Sequence, residues 1–174
     1  MLKKILFWGI ICLVIEPAGP LFAVPPLNLP PENYSVYSSS TRYRADVSVS
    51  GKVDVLRIDD NGRRIFCYSM AASGGAKAYI SDDGEKFVMI RTSINKNDIK
   101  NFPVVKIWVH GTLSRQLYLH EIWDFNISKP AKSMEDFYYW YREARFLGSN
   151  RFIIQLLGDH LKPQNDQKYV IELE

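Results

Sequence analysis

Residues Lys77 to Arg91 read Lys-Ala-Tyr-Ile-Ser-Asp-Asp-Gly-Glu-Lys-Phe-Val-Met-Ile-Arg, and this stretch decides the fold. Two apolar runs, Tyr79-Ile80 and Phe87 to Ile90, flank the cluster Ser-Asp-Asp-Gly, which is the pattern of two strands joined by a tight turn. Gly84 supplies the positive φ that such a turn needs, and aspartates hydrogen-bond their own backbone there. The stretch therefore predicts a β-hairpin and implies no chemistry.

Alternating valines predict another hairpin earlier in the chain. Val47, Val49, Val53 and Val55 share one parity and polar residues occupy the other, so one face is buried and the other is wet. A three-residue loop at Ser50-Gly51-Lys52 sets Val49 opposite Val53 and Val47 opposite Val55. This register keeps all four valines on one face.

Further turn signals extend the antiparallel pattern in both directions. Asp59 to Gly62 marks a second hairpin, which returns as the strand Arg64 to Ser69. Pro103 to Val109 is an apolar strand, and Gly111 to Ser114 reverses it into Gln116 to Ile122. The two strands of the hairpin at Gly84 and the strands Pro103 to Val109 and Gln116 to Ile122 form a four-stranded meander.

One helix is predicted near residues 133–145. Ser133 offers an N-cap, and Asp136 follows three residues later. Two last strands, Phe152 to Leu157 and Lys168 to Glu172, come after it. The predicted fold is therefore mainly β, with antiparallel meander sheets and one α-helix. The apolar stripe of that helix recurs at helical spacing in Met134, Phe137, Tyr138 and Tyr141.

The first residues have the order of a secretory signal peptide. Lys3-Lys4 precedes an apolar run from Ile5 to Ile15, which is shorter than the ~20 residues of a membrane-spanning helix. Cleavage after Ala23 places a small residue just before the cut, so we expect residues 1–23 to be removed. The mature chain is then exported, to the periplasm or outside the cell, with no membrane span. An uncleaved anchor is the alternative.

Residues 24–40 are rich in proline and serine and are predicted to form a linker or arm. Proline fixes φ and lacks an N–H, so the first half of this segment runs extended. Its role is either to hold the domain away from a surface or to dock loosely as an N-terminus. Residues 41–174 then form a single β-rich domain.

The segment from Ala78 to Ile90, followed by Ile107-Trp108-Val109 and a turn at Gly111, resembles one blade of a β-propeller. The hairpin from Val53 to Ser69 would belong to the blade before it. The resemblance covers residues 41–123. The chain is similar to small exported bacterial proteins of unknown function that carry one or two blade-like sheets, and this similarity implies no catalytic residues. Propellers need about four to eight blades of ~40–45 residues, more than this chain supplies.

Composition argues against several classes of function. The chain has 22 Lys plus Arg and 19 Asp plus Glu, a net charge of +3 with the charges scattered, so no nucleic-acid surface is expected. Cys67 alone remains after processing, where we expect a small buried hydrophobe. The sequence shows neither metal-ligand spacing nor a phosphate-binding glycine loop. We therefore predict no catalytic residue, metal or cofactor. The three histidines are His110, His120 and His160.

Aromatic residues are dense between residues 108 and 141, and tyrosine and tryptophan are good interface anchors. Most should belong to the core, with Trp123, Tyr139 and Trp140 as candidate binding residues. The favoured hypothesis is an exported, non-catalytic interaction module that binds a protein partner or itself. The alternative is an envelope glycan-binding protein or a carboxylate-dependent hydrolase that uses the Tyr/Trp-rich segment 118–141. Its candidate carboxylates are Glu121, Asp124 and Glu135.

The last predicted strand, Lys168 to Glu174, has an apolar centre at Val170 and Ile171 between charged ends. An open meander leaves at least one strand edge with unpaired N–H and C=O groups. We expect this edge to add a strand from a partner or from a second copy. The alternative is that residues 24–40 fold back and cover it.

Overall fold

The computed structural model describes residues 32–72, 77–123, 131–132, 137–157 and 167–174, with the backbone alone at 131–132. These ranges are mostly antiparallel β-sheet, which confirms the predicted fold class. Their helices are too short to cross a membrane. The predicted signal peptide lies outside the described ranges.

The first sheet has four strands in chain order: β1 (Tyr34–Tyr37), β2 (Tyr43–Val47), β3 (Lys52–Ile58) and β4 (Arg64–Ala71). Strand β1 falls within residues 24–40, the segment predicted as a linker or arm, and pairs with β2 at the edge of the sheet. Two apolar residues of β1 explain the pairing. Tyr34 and Val36 lie opposite Val47 and Ala45, where they join the buried face of the sheet.

The first hairpin differs from its predicted register by two residues, because its loop begins one residue earlier than predicted. Val47 pairs with Val53, and the loop has the predicted length of three residues but consists of Val49, Ser50 and Gly51. Gly51 has φ +82°, and such loops place a left-handed residue last, a position that glycine fills without strain. The turn chemistry therefore decides the register, and Val49 is left 55% exposed.

The second sheet contains the Ser-Asp-Asp-Gly hairpin and confirms the predicted meander. Its strands are β5 (Lys77–Ile80), β6 (Lys86–Ile90), β8 (Pro103–Val109) and β9 (Thr112–Tyr118). A short strand β7 (Ser93–Asn95) and a 3₁₀ turn (Lys96–Asp98) lie in the connection between β6 and β8. All five residues of β6 are buried, because both faces of this sheet are covered.

The third sheet consists of β12 (Tyr141–Leu147), β13 (Arg151–Leu156) and β14 (Lys168–Glu172) in that order. The last two confirm the predicted strands. A small sheet joins β10 (Ala131–Lys132) and β11 (Phe137–Tyr139) to β7.

The helix predicted near 133–145 is wrong from residue 137 onward, where β11 and β12 occur; residues 133–136 lie outside the described ranges. Within β12, Ala144 and Phe146 pack on the core while Glu143 and Arg145 face outward, which is the two-residue period of a strand. The α-helix of the described ranges is α1 (Leu119–Ile122), where a strand was expected.

Two apolar clusters lie on opposite sides of the second sheet. The first joins it to the first sheet through Val47, Val53 and Val55 on one side and Phe87 and Trp108 on the other. The second cluster joins it to the third sheet and to α1. Burial of these side chains is the main source of stability. Members of the second cluster include Ile90, Ile107, Leu119, Trp140, Phe152 and Ile154.

The sheets are arranged like consecutive propeller blades. Strand β5, the first strand of the second sheet, contacts both β1 and β12, which are the first strands of the other two sheets. Later strands follow outward from these inner strands in meander order. The resemblance of residues 41–123 to propeller blades is confirmed by this organisation: the hairpin of β3 and β4 belongs to one blade, and strands β5, β6, β8 and β9 form the next.

Candidate functional site

The two tryptophans predicted to bind a ligand are core residues. Trp123 is 4% exposed and Trp140 is fully buried. The indole Nε1 of Trp140 donates a hydrogen bond to the carbonyl oxygen of Arg91 at 2.7 Å, and its ring lies 5.0 Å from that of Tyr141. In this conformation both indoles stabilise the core and present no surface to a ligand.

Tyr139 does not share an exposed surface with these two buried tryptophans. It is half-buried in β11, opposite Ser93 of β7. Glu121, a candidate carboxylate of the alternative function, accepts a hydrogen bond from the backbone N–H of Tyr118 at 2.6 Å and thereby caps α1. Asp124 and Glu135 lie outside the described ranges. Among the described residues, Trp123, Tyr139, Trp140 and Glu121 therefore do not form one exposed site.

His110, His120 and Cys67 also lie apart, and His160 lies outside the described ranges. His110 Nε2 is 3.7 Å from Glu85 Oε2, and the ring of His120 packs against Tyr118. In the ranges that the structure describes, no group of three potential ligands could hold a metal. Cys67 is exposed, against expectation. It is the extra residue at a β-bulge, where Val55 pairs with Tyr68 and Leu56 with Phe66, and the preceding residues of this outer strand are exposed as well.

Three tyrosines meet where the inner strands of the sheets converge: Tyr34 of β1, Tyr79 of β5 and Tyr141 of β12. Burial raises the pKa of all three phenols above the usual value, and the proximity of Tyr79 adds to the shift in the other two. The hydroxyl group of Tyr34 is buried without a hydrogen-bond partner, and the hydroxyl groups of Tyr79 and Tyr141 interact with each other. These phenols stay neutral at physiological pH, so they pack the sheets together and are unsuited to act as bases.

The described residues line at least three surface cavities. One of about 460 Å³ lies beside the hairpin turns and is lined by Arg42, Arg57, Asp59 and Asp82 among others, without a serine, histidine or cysteine. Another of about 430 Å³ lies between the 3₁₀ turn and His120. Neither of these two includes the aromatic residues predicted to bind. The described lining of the larger cavity does not provide a serine–histidine or cysteine–histidine pair.

The outer edge of the third sheet is the best candidate site. The first and second sheets each have four strands, whereas the described part of the third sheet has three and ends at β14. The outer strands β4 and β9 both carry register shifts in their pairing. Such bulges twist an edge and discourage further pairing. Strand β14 pairs with β13 in five consecutive steps without a shift, so it presents a regular edge.

The register of β14 shows which backbone groups face outward. Gln167 accepts a hydrogen bond from Leu156 N–H, and Leu173 N–H donates to the carbonyl of Asn150. In an antiparallel pair these directions alternate along the strand. The N–H and C=O groups of Lys168, Val170 and Glu172 therefore point away from β13. We call these backbone groups the free edge of β14.

The side chains around the free edge are divided between the two faces of the sheet. Ile171 is buried in the second cluster, and the partly buried Tyr169 packs against that cluster. On the opposite face, Val170 is 47% exposed between the exposed residues Lys168 and Glu172. The edge thus combines available hydrogen-bonding groups with an apolar centre and flanking charges. It is suited to accept an antiparallel strand.

Comparisons with known proteins identify similar folds at low identity. No family model matches the chain, and no curated protein matches it. The β-propeller domain of Cps50 (Swd1) from Myceliophteria thermophila is 9% identical with a TM-score of 0.45, and 80% of this chain covers 39% of that domain. A eukaryotic initiation factor is 12% identical with a TM-score of 0.39, and 81% of this chain covers 32% of it. A putative 6-phosphogluconolactonase from Bacteroides fragilis is also 12% identical, with a TM-score of 0.36 and coverage of 81% and 39%.

The chain therefore spans about two fifths or less of the length of these structures. Such similarity carries no conclusion about activity, ligand or partner. The blade-like organisation rests on the strand order and register of the protein itself.

Proposed function

We propose that the protein is an exported, non-catalytic interaction module that binds a protein partner by strand addition at the free edge of β14. The observation that supports this most directly is the missing outer strand: two sheets have four strands, and the described part of the third has three. An added strand would complete the third sheet. It would satisfy the outward N–H and C=O groups of Lys168, Val170 and Glu172.

The glycan-binding or hydrolase alternative has less support. It depended on Trp140 and Trp123, whose buried indoles cannot stack on a sugar in this conformation. Its carboxylate Glu121 is engaged in capping α1. Strand addition needs none of these side chains.

Replacing Val170 by proline is expected to abolish partner binding while leaving the fold intact. Proline removes the N–H that faces outward and preserves the hydrogen bonds between β14 and β13, which involve the neighbouring residues. Loss of this donor, together with the bulk of the ring at the edge, should weaken binding by roughly tenfold or more. The matched control is Val170→Thr, which keeps both the N–H and the β-branched shape.

The measurement is affinity capture from the exported fraction of the source cells, followed by reconstitution with the purified partner. A specific partner is retained by wild type and by Val170→Thr and lost by Val170→Pro, with all three proteins showing a similar unfolding temperature. Equal binding by wild type and Val170→Pro would show that the partner does not use the free edge of β14.

Export is the second part of the proposal, and it rests on the charged start, the short apolar run and the small residue Ala23. We expect the mature protein to begin at Val24. N-terminal sequencing of the exported protein tests this. Recovery of an intact Met1 or Leu2 on membrane-bound protein would contradict it.

A further inference from the structure

We infer that the strand added at the free edge of β14 is β14 of a second copy, paired antiparallel about a two-fold axis through Val170. This inference rests on the proposed function and names its partner. The result is an isologous dimer, in which each copy contributes the same patch. Two three-stranded sheets would join into one continuous six-stranded sheet.

The chemistry of β14 is complementary to itself in this register. The outward backbone groups belong to Lys168, Val170 and Glu172, so only these residues can form the hydrogen-bonded pairs across the axis. Val170 then lies opposite Val170 of the second copy, and Lys168 lies opposite Glu172. Each strand therefore offers an apolar centre to an apolar centre and a cation to an anion at both ends.

The opposite face of the sheet fits the same register. Tyr169 lies opposite Ile171 of the second copy, in a pair without mutual hydrogen bonds, where side chains approach most closely. Ile171 is already buried, whereas Tyr169 is only partly buried where it packs against the second cluster. Pairing would therefore cover the exposed part of the Tyr169 ring and extend the core across the axis.

Glu172 can meet a second cation. Its Oε1 lies 3.1 Å from Arg151 Nε in the neighbouring strand β13, and its side chain is 64% exposed. In the dimer, Lys168 of the second copy would approach the same carboxylate from the opposite side. The side-chain charges across these three neighbouring strands would then alternate, from Arg151 to Glu172 to Lys168 of the second copy. No two like charges would lie opposite each other.

Two charge reversals test this pairing. Lys168→Glu sets glutamate opposite Glu172 at both ends of the interface, and Glu172→Lys sets lysine opposite Lys168. Each variant alone should raise the dimer dissociation constant by about tenfold or more, since two attractive cross-strand pairs become repulsive. A mixture of the two variants restores opposite charges at both ends. It should therefore form a heterodimer with nearly wild-type affinity.

Sedimentation velocity gives the association state. Native mass spectrometry identifies the heterodimer in the mixture when one of the two variants is labelled with heavy nitrogen, because the substitutions alone barely change the mass. Lys100→Glu is a matched control, because it changes the net charge equally at an exposed position away from β14. It should dimerise like wild type. Unchanged dimers of both variants, or a mixture that stays monomeric, would overturn the inference. A register shifted by two residues sets Glu172 opposite Val170, so mixing would then fail to restore pairing.

The inference and the proposed function can fail separately. One outcome is that wild type is monomeric up to millimolar concentration while Val170→Pro still abolishes capture of a different protein. In that case the second copy is not the partner, and the result supports partner binding at the free edge of β14. If wild type is a dimer that Val170→Pro leaves intact, the free edge of β14 is not the dimer interface, and the inference falls.

Discussion

Gly84→Ala is expected to destabilise the protein much more than Gly62→Ala. Both glycines end the same kind of hairpin turn and have nearly equal φ values, +74° and +75°. Alanine in the left-handed region costs about 1–2 kcal/mol of unfolding free energy at either position. The surroundings differ, since a Cβ at Gly62 meets open space and a Cβ at Gly84 would overlap the ring of Tyr43.

The ring of Tyr43 makes Gly84 a contact between sheets as well as a turn residue. Tyr43 belongs to β2, so its position over the turn joins the first sheet to the second. Tyr68 of β4 adds a hydrogen bond from its hydroxyl to the carbonyl of Gly84, at 2.8 Å. Displacing the Tyr43 ring should lower the free energy of unfolding by a further ~1–3 kcal/mol, the usual penalty for overpacking.

Urea unfolding of wild type and the two alanine variants tests this prediction. Gly62→Ala measures the backbone strain alone, so the difference between the variants measures the contact with Tyr43. Equal shifts of the unfolding midpoint for both variants would show that the ring moves aside without cost. An unchanged midpoint for Gly84→Ala would contradict the turn conformation itself.

Trp140→Ala is expected to lower the free energy of unfolding by about 3–5 kcal/mol. The indole is fully buried in the second cluster and donates a hydrogen bond to the carbonyl of Arg91. Truncation to alanine therefore leaves both a cavity and an unpaired acceptor. The neighbouring Tyr139 is half-buried, and Tyr139→Ala should cost clearly less.

The same pair of variants separates a core role of Trp140 from a binding role. Chemical denaturation and partner capture are measured side by side. If Trp140→Ala keeps wild-type stability and loses a ligand or partner, the residue acts at a surface and the aromatic-segment hypothesis regains support. Loss of stability in Trp140→Ala, with retained binding at temperatures where the variant is folded, supports the core assignment.

Local chemistry explains why the hairpins could be predicted. Ser-Asp-Asp-Gly and Asp-Asp-Asn-Gly specify their turns through side-chain hydrogen bonds and a positive φ, and both turns occur where expected. The register of the first hairpin was misplaced because the valine pattern favoured burial of Val49. The loop instead needed Gly51 at its last position, and the turn geometry prevailed.

The predicted helix failed because its spacing is ambiguous. The spacing of an apolar helical stripe is met by Phe137, Tyr138 and Tyr141, yet aromatic residues also favour strands. In the structure β11 pairs with β7, with Tyr138 opposite Ile94. The candidate edge was visible in the sequence as an apolar centre between charges. The bulges that protect β4 and β9 were not visible, because a bulge depends on how many residues the partner strand supplies.

Strand β6, in the interior of the second sheet, also couples the stability of the two apolar clusters. Phe87 and Met89 belong to the cluster shared with the first sheet, whereas Val88 and Ile90 belong to the cluster shared with the third. One five-residue segment thus lies within both hydrophobic interiors, and neither interior can open fully while the other keeps β6 in place. The described sheets should therefore lose their structure as one cooperative unit, with the backbone amides of β6 among the slowest to exchange with solvent.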